Sequence, residues 1–98
     1  MSRIVVFHKF KRFYYWLHHE CHNKLLKMNI YSEEFYIQIK YVNKLVQHTD
    51  NELSLMNNFH YKSFERPEIE ELKYKYDILK SGIENLKNQY SIMIGQNI

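Results

Sequence analysis

The sequence predicts one all-α domain over residues 1–98, an antiparallel three-helix bundle with coiled-coil-like heptad packing. Two observations predict it: seven-residue apolar seams in the middle and C-terminal thirds, and an amphipathic stripe of helical period in the first third. Ninety-eight residues supply apolar surface for one core only. With 45% hydrophobic and 26% charged residues the chain has the composition of a folding domain. The balance between burial and ordering entropy is narrow at this size, so a partner or a second copy would stabilise it.

The first element spans about residues 4–28. Its opening, Ile4-Val5-Val6-Phe7, is β-branched and has strand character. The longer pattern is helical, because Val6, Phe7, Phe10, Phe13, Tyr14, Leu17, Cys21, Leu25 and Met28 fall on one side at 100° per residue. The other side carries His8, Lys11, Arg12, Tyr15, Trp16, His18, His19 and His22. Trp16 lies outside the apolar stripe and is expected at the surface. A short link around Asn29 to Tyr31 suits an antiparallel turn.

The second element opens at Ser32, a good N-cap followed by Glu33 and Glu34, and carries the seam Phe35, Ile39, Val42, Val46, Thr49, Leu53, Met56. Thr49 and Glu52 have capping-box spacing beside Asp50-Asn51; a break there would make four helices. The next link, 58–66, holds Phe59, His60, Tyr61 and Phe64, aromatics expected to tuck against the bundle end.

The third element, about 67–94, has Pro67 in its first turn with Glu68, Glu70 and Glu71 near the positive end of the helix dipole. Ile69, Leu72, Tyr76, Leu79, Ile83, Leu86, Tyr90 and Met93 alternate steps of three and four. Lys73, Lys80 and Lys87 at e positions and Lys75 at a g position oppose a parallel homodimer along this seam, so it faces its own bundle. The expected core is Phe10, Leu17, Ile39, Val42, Val46, Leu72, Leu79, Ile83 and Leu86.

A single cysteine excludes an intrachain disulfide and fits a reducing compartment. The first apolar run stops at His8-Lys9, short of a signal peptide, and nothing approaches the ~18 apolar residues of a membrane span. The expected location is cytoplasmic, with no membrane partner. The absence of alanine beside nine tyrosines points to AT-rich codons rather than helix physics, which suggests a low-GC bacterium, its phages or mobile elements, or an organelle as the source.

Charge is the most informative functional feature. Residues 1–27 set Arg3, Lys9, Lys11, Arg12, Lys24 and Lys27 against Glu20, a net +5, while residues 28–98 carry a net −2. A basic helix interleaved with exposed aromatics can neutralise phosphates and stack on bases. The residues placed at a partner or nucleic-acid contact are Lys9, Lys11, Arg12, Tyr15, Trp16, His18, His19 and His22. His18 and His22, one turn apart, could share a metal, but zinc wants four ligands and no remainder is evident. His19-Glu20-Cys21-His22 lacks the zincin spacing, and with Gly82 and Gly95 isolated there is no phosphate loop. No metal, cofactor or catalytic residue is therefore assigned.

Arg3 and His8, with four residues between them, superficially look like the short motif of HEPN-type ribonucleases, with Arg12 and His18 a longer match. Six residues do not amount to a family resemblance. The leading expectation is a non-enzymatic helical binding protein that contacts a larger protein or nucleoprotein, as an accessory or inhibitor factor of a phage or mobile element would. RNA or DNA binding through the first helix ranks second and a HEPN-like ribonuclease third. A homodimer through another face is a further partner the sequence admits.

Overall fold

The computed structural model describes residues 3–98. Three α-helices form the fold: α1 (Arg3–His19), α2 (Glu33–Met56) and α3 (Arg66–Ile94), and no strand occurs among the described residues. The contacts fix the directions. Phe13, Trp16 and Glu20 of α1 and the turn after it meet His48, Tyr41 and Gln38, so α2 runs antiparallel to α1. Tyr76 and Lys87 of α3 meet Asp50 and Asn43, so α3 reverses again and runs parallel to α1. The bundle measures 47 × 22 × 20 Å.

Residues 4–7 are helical, so amphipathic burial overrides their β-branched character. The expected helix to residue 28 changes character instead at Glu20. Glu20–Lys24 is a π-helical turn and Leu25–Lys27 a 3-10 turn. At the junction the Leu25 N–H reaches back to the carbonyls of both Glu20 and Cys21. The widening coincides with Gln38, whose side-chain amide donates to the Glu20 carbonyl at 3.3 Å, and insertion of a side chain into the ladder is a recognised cause of such distortion.

Ser32 caps α2 as expected, its hydroxyl oxygen accepting from the Phe35 N–H at 3.1 Å. The helix does not break at Thr49. That hydroxyl is buried and donates to the Leu45 carbonyl at 2.7 Å, so it satisfies the helix it sits in rather than starting another. α3 carries Pro67 in its first turn and ends at Gly95, which takes the left-handed conformation at φ 69°.

The expected core residues are buried except Leu86, which is half-buried, and Leu45 joins them. Met93, the last residue of the α3 seam, is exposed. The preceding seam residue, Tyr90, already meets Phe35 near the start of α2, so little of α2 is left for Met93 to pack on. In the 58–66 link Phe59 and Tyr61 pack against the core as expected, the Tyr61 hydroxyl donating to the Met56 carbonyl at 3.1 Å. Phe64 and His60 do not tuck in: Phe64 is 75% exposed, under the Lys62 ammonium, and His60 is exposed as well.

Backbone approach is closest between α1 and α2, and α3 stands further off. Large rings fill the gap. Tyr76, fully buried, meets Phe10 edge-on at 5.5 Å, and Tyr90 meets Phe35 edge-on at 4.9 Å.

Candidate functional site

The structure distributes the candidate contact residues around α1 rather than gathering them into one patch. Lys11, Tyr15, His18 and His22 turn toward α3, Trp16 turns toward α2 with Lys9 beside it on the helical wheel, and Arg12 and His19 occupy the crest between. The longer ribonuclease-like pair does not converge, since six residues place Arg12 and His18 roughly 120° apart around the axis. The Arg3 side chain, and with it the shorter pair, lies outside the described residues.

On the α2 flank, Phe13, Trp16, Tyr41, Lys44, Leu45 and His48 line a shallow groove of ≈ 230 Å³. Phe13 stacks on both Trp16 and His48 at about 6 Å, and Tyr41 stands at an angle to the indole at 6.4 Å. Trp16 remains 44% exposed, as its position outside the stripe predicts. The groove continues along a solvent-facing stripe of α2 through Ile37, Tyr41, Lys44, His48 and Leu55, all exposed and spaced at helical intervals.

Beneath this platform lies Glu20, only 6% exposed although charged. Its carboxylate accepts from Gln38 Nε2 at 2.8 Å and from Lys24 Nζ at 3.2 Å. Burial pushes this carboxyl up, but those donors outweigh it and hold it below the ordinary glutamate value. Trp16 is thus positioned by its ring contacts with Phe13 and Tyr41.

On the α3 flank, Tyr14, Tyr15, His18, His22, Lys75, Ile78 and Leu79 border a wider groove of ≈ 440 Å³. The His18 and His22 rings lie 4.4 Å apart. Burial, then the neighbouring His22 and His19, hold the His18 imidazole below the usual histidine range. Further along, Lys11 pairs with Glu68 at 3.0 Å. A third hollow, at the bundle end, is lined by the apolar Ile4, Phe7, Phe64 and Ile69 and by the polar His8, Tyr61, Glu65 and Glu68.

No group of three or more His, Cys, Asp or Glu side chains among the described residues is arranged to hold a metal. Cys21 is buried, and burial pushes its thiol up, away from the reactive thiolate. No helix of the described residues is long and apolar enough to cross a membrane. Phe13, Tyr41, Lys44, His48, Glu20 and Gln38 were not among the residues the sequence marks as a contact surface. The recurrence of Tyr41, Lys44 and His48 beside the α2 seam is the signal that could have found half of them. Comparison with protein-family models, curated proteins and solved structures gives no match.

Proposed function

We propose that this chain is a non-enzymatic binding protein, and that its contact surface is the α1–α2 face centred on Trp16. The observation that carries the reading is the pre-organised aromatic platform: an exposed tryptophan held by Phe13 and Tyr41. Tryptophan and tyrosine dominate interface hot spots, and rings that are already fixed lose little entropy on binding. Around it Lys9, Arg12 and Lys44 form a basic rim, while the Glu20 carboxylate is buried and satisfied internally. The matching partner presents an apolar cleft bordered by carboxylates.

A protein partner is favoured over nucleic acid because, among the five basic side chains of the first segment that the structure describes, two are engaged in ion pairs, Lys11 with Glu68 and Lys24 with Glu20. That leaves a short basic rim in place of a continuous phosphate-tracking stripe. The test is photo-crosslinking from position 41 in the native host, with and without nuclease, for the wild-type chain and for Trp16→Ala. One nuclease-resistant protein adduct that disappears in Trp16→Ala supports the reading. Adducts to RNA or DNA, or protein adducts indifferent to Trp16, overturn it.

A further inference from the structure

We propose that His18 and His22 form an exposed two-histidine site for a borderline divalent transition metal such as Zn²⁺ or Ni²⁺. The site lies on the α3 flank of α1 and is independent of the Trp16 platform on the other flank.

Sequence spacing alone makes this pair unremarkable, because any i, i+4 pair shares a helix face. The structure adds the distortion between them. His18 belongs to α1, whereas His22 sits inside the π turn Glu20–Lys24, so the two rings cross the junction where the helix widens. Their rings lie 4.4 Å apart with planes 30° from parallel. Single π turns recur at functional sites, and this one is held by Gln38 bonding the Glu20 carbonyl and carboxylate.

The chemistry follows from the separation. Metal–imidazole bonds of about 2.0–2.1 Å from two rings place their nitrogens roughly 3 Å apart. With centroids 4.4 Å apart, the two rings are near enough for one nitrogen of each to meet a shared ion once the side chains rotate. Both side chains face solvent. Neither ring is tied by a hydrogen bond among the described residues, in contrast to His19, whose Nδ1 lies 2.9 Å from the Asn23 amide. Across the groove the Lys75 ammonium is paired with Glu71 at 3.3 Å, which offsets its repulsion of a cation.

With no third protein donor grouped there among the described residues, water or a donor from another molecule fills the remaining positions. Imidazole donors suit zinc, nickel and copper rather than magnesium or calcium, which seek oxygen.

The test is calorimetric titration of the untagged full-length chain with Zn²⁺ and Ni²⁺ at pH 7.5, repeated at pH 5.5. Imidazole nitrogen shifts are followed by NMR in parallel. The site predicts one ion per chain, shifts confined to His18 and His22, and loss of binding at the lower pH as protons compete for the ligands. His18→Gln and His22→Gln should each weaken binding by at least ~10-fold, the lower end of what even outer-sphere changes cost. His60→Gln, in the distant 58–66 link, serves as the control. Both rings are exposed, so the variants should fold, and circular dichroism checks this. Equal affinity in the His18 and His22 variants, or shifts at other histidines only, would overturn the proposal.

Discussion

Gln38 spans from α2 to Glu20 and satisfies two of its acceptors at once, the carboxylate at 2.8 Å and the backbone carbonyl at 3.3 Å. This neutral side chain thereby shares with Lys24 the compensation of a buried charge, and it occupies the point where the first helix departs from α geometry.

Replacing it by leucine, Gln38→Leu, keeps the bulk and removes both bonds. The loss expected is ~1–3 kcal/mol, the cost of leaving buried acceptors short of a donor. Because Trp16 lies one helical turn before Glu20, its emission should shift in the folded variant. Urea denaturation followed by tryptophan fluorescence reads both effects. An unchanged midpoint would show that Gln38 follows the distortion rather than supporting it.

Glu20 also makes stability depend on acid. Burial raises its carboxyl, but the Gln38 and Lys24 donors prevail, so the folded-state value lies below the unfolded one. Its contribution is complete above the unfolded value, about 4.3, and is lost as pH falls through the lower folded value. Denaturation midpoints measured from pH 7 to pH 3 should fall more steeply for wild type than for Glu20→Gln. Parallel slopes would contradict this assignment.

Tyr76 donates its hydroxyl to Asp50, and Lys80 grips the same carboxylate at 2.9 and 3.1 Å. Burial foremost, then the Asp50 hydrogen bond and charge, raise the phenol well above its usual range. A raised folded value means the contribution is intact below the unfolded phenol value of about 10 and is lost as pH rises above it. Tyr76→Phe keeps the edge contact with Phe10 and should cost ~1–3 kcal/mol at neutral pH. Its denaturation midpoint should then decline less than that of wild type above pH 10.

The two glycines should respond in opposite directions. Gly82 lies inside α3 with nothing within 4 Å of an added Cβ, so Gly82→Ala should stabilise by ~0.4–1 kcal/mol through the unfolded chain. Gly95 ends the helix at φ 69°, so Gly95→Ala should cost ~1–2 kcal/mol despite equally open space. Thermal melts of the two variants should bracket the wild type.

The sequence reading and the structure agree where burial is periodic. Seams through Phe35 to Met56 and Ile69 to Tyr90 are local patterns, and they locate α2 and α3 to within a residue or two. The exposure of Trp16 was legible for the same reason. The π turn was not, because its support comes from Gln38, eighteen positions away, and nothing near Glu20 announces a donor from another helix. The aromatic platform was hidden likewise. Trp16 announces itself, but Tyr41 and His48 acquire meaning only once α2 lies antiparallel beside it. Lys11 shows the reverse, a basic residue whose charge is engaged by Glu68, fifty-seven positions on.

The stand-off of α3 from the other two helices bears on the order in which the chain folds. α1 and α2 approach most closely, and much of the connection between them, residues 20–32, is itself π and 3-10 turn, so their hairpin closes at little entropic cost. α3 must bring Tyr76 and Tyr90 onto rings far back in the sequence, Phe10 and Phe35, and gains nothing until it docks. The rate-limiting nucleus is therefore expected in the hairpin. Core truncations such as Leu17→Ala or Ile39→Ala should chiefly slow refolding, and Leu79→Ala or Ile83→Ala should chiefly accelerate unfolding. Stopped-flow chevrons of these four variants would separate the two limbs.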